Sequence, residues 1–208
     1  MQKDNKPKQQ QMRARIAAAA ARIMAEDGID DFGLAKRKAV RQLGAENTQS
    51  LPKNEEIESE LRCYQALYQG REQRERVRYL RQRALDTMRF LAQFRPYLSG
   101  PVLKGTAGRY CDVDLQLFTD DFKSVELFLL AHNVGYEICE RRYFAGETAR
   151  VASILKFESG GVPVNLAIYS LNDERSALKM SSEGRSMERA GIQAVAQLLA
   201  NESDERIV

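Results

Sequence analysis

The chain reads as an α+β protein, with a helical first half and a small mixed or antiparallel sheet flanked by helices in the second. Three observations predict this. Apolar residues recur at three- and four-residue steps as far as Pro96, the spacing of helices that bury one stripe. Beyond Pro101 several short segments alternate apolar and polar residues, the spacing of strands. Two apolar runs, 152–157 and 162–168, are joined by Glu158-Ser159-Gly160-Gly161, a strong hairpin signal. The expected organisation is a disordered polar tail over 1–10, a helical region over 11–95 and an α+β domain over 96–208 that ends in a helix.

The first helix is expected over 11–26, with Ile16, Ala20, Ile23 and Met24 on one stripe and Gly28 ending it. A second, over 32–43, carries Leu34, Ala35, Ala39 and Val40 and stops at Gly44. The loop through Pro52 feeds a third helix with Asn54 as its cap and Glu55, Glu56 and Glu58 near the positive end of its dipole. A fourth, over 72–94, places Val77, Leu80, Ala84, Met88 and Leu91 on a clean inward stripe. Its other faces carry Arg71, Arg74, Arg76, Arg78, Arg81, Arg83 and Arg89. Such a run is either a solvated face or a track for an RNA or protein acceptor, since arginine pairs bidentately with phosphate.

In the second half, 121–133 is expected as a helix with Val125, Leu127, Phe128, Leu129 and Leu130 packed inward and the single histidine, His132, near its end. Residues 136–144 alternate as a strand. Pro163 places the start of the strand over 162–168 at an edge or just ahead of pairing. A final helix over 186–201 buries Met187, Ala190, Ile192, Val195, Leu198 and Leu199, and an acidic tail follows.

The stretch with chemistry is Pro101 to Asp120, PVLKGTAGRYCDVDLQLFTD. On a strand over 111–118, Cys111, Val113, Leu115 and Leu117 form one apolar row while Asp112 and Asp114 stand together on the other face. Two carboxylates this close repel each other unless a cation or a donor network offsets the charge. Hard oxygen ligands suit Mg²⁺, which one or two protein carboxylates usually hold together with substrate phosphates.

An apolar strand, a Gly-Thr pair, a loop and then Asp-Val-Asp-Leu resembles the nucleotidyltransferase superfamily of DNA polymerase beta, in particular its minimal members. The resemblance covers about residues 96–170 and implies a nucleotidyltransferase-like sheet. It implies that Gly105 and Thr106 lie against the phosphates of a nucleoside triphosphate, with Lys104 or Arg109 adding positive charge. It also implies that Asp112 and Asp114 bind Mg²⁺, and that a third ligand comes from a later strand. That third position falls on Asn165, in Val162-Pro163-Val164-Asn165-Leu166. An amide can ligate a metal but cannot take a proton from an attacking hydroxyl. The loop between Thr106 and Asp112 is also shorter than the family usually has, and Thr stands where Ser is commoner.

The implied reaction is transfer of a nucleoside monophosphate from an NTP, with Asp114, Glu147, Glu158 or the metal alone activating the acceptor. A catalytically degenerate fold serving as a binding or scaffold module is the alternative, discriminated by Asn165. A second alternative comes from 16–44, which resembles the entry to the helix-turn-helix of tetracycline-repressor-type regulators. The acidic segment that follows would be repelled by DNA phosphate. The whole chain is also similar to bacterial proteins of its size labelled UDP-N-acetylmuramate–alanine ligase, but it contains no GxxxxGK[ST] loop to hold ATP in that manner.

Composition narrows the classes further. The 208 residues are 43% hydrophobic and 29% charged with a net charge of +3, ordinary for a globular protein and too mild to argue for nucleic acid. The three cysteines, Cys63, Cys111 and Cys139, have neither zinc nor disulfide spacing. No segment is apolar enough to span a bilayer, so a cytoplasmic location without membrane partners is expected.

Overall fold

The computed structural model describes residues 5–29, 31–46, 48, 50–180 and 186–204. Among them the chain is α+β, with seven α-helices and one seven-stranded mixed sheet. It divides into two compact units. The first contains the described residues up to Arg76 together with Thr106–Cys111, and the second contains Val77–Gly105 and the described residues from Asp112 onward.

In the first unit, α2 (Phe32–Gln42) and α3 (Asn54–Tyr68) both pack on α1 (Asn5–Asp27). Their core is Ile16, Ala20, Met24, Ala35, Ala39, Ile57 and Leu61, the residues that helical spacing places inward. Three alterations to the sequence reading appear here. Residues 5–10, expected in a disordered tail, are the first turns of α1, and 1–4 lie outside the described residues. Leu34 is exposed rather than inward. Asn54 is the first helical residue of α3 rather than its cap, because the Lys53 N–H donates to Glu56 Oε2 at 2.6 Å and makes Lys53 the boundary. Asp31, by contrast, caps α2 as its side-chain oxygen accepts from the Leu34 N–H.

The helix α4 (Gly70–Phe90) enters the second unit at Val77, and its stripe of Val77, Leu80, Ala84 and Met88 is buried as the spacing predicts. The sheet consists of β1 (Tyr97–Ser99), β2 (Val113–Phe118), β3 (Glu137–Ala145), β4 (Thr148–Ser159), β5 (Val162–Tyr169), β6 (Leu178–Lys179) and β7 (Arg189–Gly191), with α5 (Gly100–Lys104), α6 (Phe122–Ala131) and α7 (Ile192–Asp204) between or after them. Strand order is β6-β3-β4-β5-β2-β1-β7, and only β2 and β5 run parallel.

Register sorts the side chains by face. Leu98, Leu115, Leu166 and Leu155 face one another across four strands and are at most 1% exposed. On the opposite face the equivalent row, one residue along each strand, reads Arg189, Ser99, Asp114, Asn165, Lys156, Glu137. This face curls around an apolar cluster that includes Phe118, Tyr143, Tyr169 and Leu178, with Tyr97 and Met187 against it. The Met187 N–H donates to the Leu178 carbonyl at 2.6 Å, tying the approach to one edge strand to the other edge strand. The turn Leu171–Arg175 completes the closure. Asp173, 2% exposed, accepts from the Tyr143 hydroxyl at 2.5 Å and from Arg150, while Glu174 accepts from the Tyr97 hydroxyl at 2.8 Å and its carbonyl from Arg189.

Two expectations change in this unit. Leu127 and Leu130 of α6 are 63% and 56% exposed, because a ten-residue helix buries a single stripe, here Val125 and Leu129. The last helix begins at Ile192 rather than 186, since Arg189-Ala190-Gly191 is drawn into strand pairing with β1. Pro163 is satisfied as its position suggested. It pairs with Glu158 on β4, and the ladder to β2 starts one residue later at Val164.

Candidate functional site

Asp114 lies on β2 between two neighbours in register, Ser99 on β1 and Asn165 on β5. Asp112 immediately precedes the strand, which begins at Val113 rather than at Cys111. Asn165 brings the two acids together, since its Nδ2 donates to Asp112 Oδ2 at 3.2 Å and to Asp114 Oδ1 at 3.1 Å. A side-chain amide nitrogen carries two hydrogens, and both are spent on this pair of carboxylates. The sequence-predicted acids and amide thus converge on one point of the polar sheet face.

Burial pushes the Asp114 carboxyl above the usual carboxylate range, and the neighbouring Asp112 charge adds to this. The Asn165 hydrogen bond and the positive Arg141, which lies on the same face of β3, pull it back. Burial also raises the Tyr169 phenol to about 12, opposed by Arg141 and assisted by the Asp114 charge. Asp114 therefore sits where its charge is disfavoured, and Arg141, a cation acting on it, comes from a strand that sequence reading did not connect to it.

The backbone beside Asp114 is built for close approach. Ser99 Oγ donates to the Asp114 carbonyl at 3.3 Å, and Gly100 has φ +71 with its missing Cβ pointing into the Asp114 carboxylate. Gly105 has a different part. It ends the short helix α5 in the left-handed conformation at φ +78, and its N–H donates to the Pro101 carbonyl. That donor is consequently spent within α5, and the glycine set against the carboxylates is Gly100. Lys104 is the last residue of α5. Buried Arg81 fixes this helix from below, donating to the carbonyls of Val102 at 3.0 Å and Leu103 at 2.6 Å while pairing with Glu202.

Thr106 and Arg109 belong to the first unit. There the Thr106, Ala107 and Arg109 carbonyls accept from Gln65, Gln73 and Arg76, at 3.3, 2.8 and 2.7 Å. The Thr106 side chain is nearly buried, and the Arg109 guanidinium lies 5.9 Å from the ring centre of Tyr110. Arg76 and Arg81 of the arginine-rich helix are thus occupied by backbone carbonyls, which neither a uniformly solvated face nor a phosphate track foresees.

Sequence reading missed Ser99, Gly100, Arg141 and Lys156 at this site. Ser99-Gly100-Pro101, a cap position followed by proline in the first helical turn, is a signal that could have been found, whereas Arg141 and Lys156 join the acids only through cross-strand register. His132 is not part of it. Its Nδ1 meets the Phe128 carbonyl at 2.8 Å, where it caps α6.

Among the described residues no group of three or more His, Cys, Asp and Glu side chains could hold a metal. The two carboxylates nevertheless fit Mg²⁺ arriving with phosphates, because that ion commonly takes only one or two protein carboxylates. No helix among the described residues is long and apolar enough to cross a membrane. Neither a protein-family model nor a curated protein matches the chain.

Proposed function

We propose that the chain is a nucleotidyltransferase-like protein that transfers a nucleoside monophosphate from an NTP, with Mg²⁺ held by Asp112 and Asp114. One observation carries the reading: Asp112, Asp114 and Asn165 meet on the polar face of the sheet, with left-handed Gly100 backed against Asp114. When bound with the nucleotide, Mg²⁺ supplies charge neutralisation at the phosphate oxygens. Arg141 and Lys156 offer cations on the same face for the remaining phosphate charge. An acceptor oxygen forms its bond to the α-phosphorus, the bond from that phosphorus to the bridging oxygen breaks, and pyrophosphate leaves. The acceptor proton passes to Glu158, a carboxylate of that face outside the metal pair.

A second reading, a catalytically degenerate binding module, is favoured by Asn165 itself. Its amide already satisfies both acids without a cation and brings no third negative charge. Calorimetric titration of ATP, GTP, CTP and UTP, with and without Mg²⁺, tests the nucleotide site. Metal-dependent binding that disappears in Asp112→Ala/Asp114→Ala supports it, and absent binding, or binding indifferent to the double substitution, removes it. Release of pyrophosphate then separates the transferase from the module.

A further inference from the structure

Along β2 the next side chain after Asp114 on the same face of the sheet is Gln116. It is 2% exposed, and among the described residues its Oε1 is buried without a hydrogen-bond partner. Its Nε2 reaches only the Met187 sulfur at 3.9 Å, a weak acceptor. Two polar neighbours, by contrast, are satisfied. The hydroxyl of Tyr97, which is in register with Gln116 on β1, donates to Glu174 at 2.8 Å. Arg189, whose guanidinium lies 5.2 Å from the Tyr97 ring centre and 4.7 Å from that of Phe118, donates to the Glu174 carbonyl. A buried amide oxygen left alone costs stability, so where one persists it calls for a partner that the fold does not itself supply.

We infer that Gln116 reads the sugar of the nucleotide, its Oε1 accepting a hydrogen bond from a ribose hydroxyl, so that the site takes ribonucleoside rather than deoxyribonucleoside triphosphates. The inference rests on the reading of the acid pair as a Mg²⁺–NTP site. Strand rise places Gln116 about 7 Å beyond Asp114. The sugar is bonded to the α-phosphate, so the polar group next along the strand from the acids meets sugar before base. On β5 the in-register neighbour of Gln116 is Ala167, whose methyl leaves this face low between Asn165 and Tyr169. The side chain over the amide is Met187, unbranched and only partly buried, which can turn aside for a ligand. The vicinal 2′ and 3′ hydroxyls of ribose can donate to Oε1 and accept from Nε2 together, a pairing that a deoxy sugar cannot complete. A site built around a substrate hydroxyl rejects the analogue that lacks it, because its own buried group is then left unpaired.

Calorimetry on the full chain with Mg²⁺ compares ATP with its 2′-deoxy and 3′-deoxy forms. The wild type is expected to bind ATP about tenfold more tightly than either deoxy form. Gln116→Met, an apolar side chain of similar size, should lower ATP affinity about tenfold to the level of the deoxy forms, whose own affinities move by less than about twofold. The same variant should unfold in urea no earlier than the wild type, because it removes an unpaired buried amide. Earlier unfolding would mean that the amide is already paired within the fold, and overturns the sugar contact. Equal affinities for the three nucleotides in the wild type, or selectivity that survives Gln116→Met, overturns it too while leaving the nucleotide reading in place. If none of the three binds the wild type with Mg²⁺, the nucleotide reading and the sugar contact fall together.

Discussion

Gly100 and Asp114 occupy each other's space: a Cβ added to Gly100 would stand 2.6 Å from Asp114 Oδ2. Gly100→Ala must therefore shift the carboxylate and also force a left-handed backbone at φ +71, a conformation that costs an L-residue about 1–2 kcal/mol. Gly44 supplies the control, since it has φ +61 and nothing within 4 Å of its Cβ position. Urea unfolding should find Gly100→Ala less stable than Gly44→Ala, and calorimetry should find Mg²⁺–NTP binding weakened by the first substitution alone. Equal losses in stability and binding would mean that the contact has no consequence.

Asn165 serves as the internal counterweight of the acid pair, so replacing it tests the pair directly. Asn165→Asp is isosteric but withdraws two donated hydrogen bonds and places a third negative charge at 3.1–3.2 Å from the other two. In EDTA at neutral pH this variant should melt below the wild type. Added Mg²⁺ should raise its Tm by more than it raises that of the wild type. Calorimetric and fluorescence melts with and without the ion measure both differences, and a variant insensitive to Mg²⁺ would sink the idea that these oxygens share a cation.

The pH dependence of Asp114 follows from its position. Its folded pKa lies above the unfolded value, chiefly through burial. The folded chain therefore holds this proton more tightly. Stability from this group is present below the unfolded value of about 4, and it is lost as pH rises through the folded pKa. Asp114→Asn removes the penalty of ionising in place. In EDTA the variant should be more stable than wild type near neutral pH, with the difference vanishing below about pH 4. A difference that is constant across the pH series would place the cause elsewhere.

What the sequence revealed, and what it concealed, divides along physical lines. The helical stripes were legible because 3.6-residue spacing is a local property, and Ile16, Ala20, Val77, Leu80 and Met88 are buried where that spacing places them. The Asp112–Asp114 face and the Gly160-Gly161 hairpin were legible for the same reason. Strands of two or three residues, such as Leu178–Lys179 and Arg189–Gly191, have too short a span to display alternation. The part of Gly100 was concealed by a rival glycine five residues on, and only the coordinates of α5 separate a helix terminator from a close-approach position. Arg141, Lys156 and Glu137 needed the cross-strand register, which is set by pairing between segments distant in sequence.

Two tyrosines report on the closed end of the curl. Burial raises both the Tyr143 and the Tyr169 phenol to about 12, and Tyr143 is further held protonated by its hydrogen bond to Asp173. With folded values above the unfolded value of about 10, stability from these groups is complete below that pH and is lost as pH rises through about 12. Ultraviolet titration should show Tyr143 and Tyr169 ionising last of the eight tyrosines, together with a fall in urea stability over the same interval. Tyr143→Phe should remove one of the two late phenols. If all eight ionise together near pH 10 while the fold persists, the phenols are not enclosed as described.

Asp173 holds the same end from the opposite direction. It is 2% exposed, accepts the Tyr143 hydroxyl at 2.5 Å and takes Arg150 at 2.9 and 3.0 Å, so one carboxylate ties the turn Leu171–Arg175 to β3 and β4. Asp173→Ala leaves a buried phenol without its acceptor, a loss of about 1–3 kcal/mol. Arg150, whose side chain is 43% exposed, can turn to water and adds little to that cost. Asp173→Asn preserves the shape and one acceptor, and should recover most of the loss. Urea unfolding measures the two variants, and Asp173→Asn as unstable as Asp173→Ala would mean that the charge, rather than the acceptor, secures the turn.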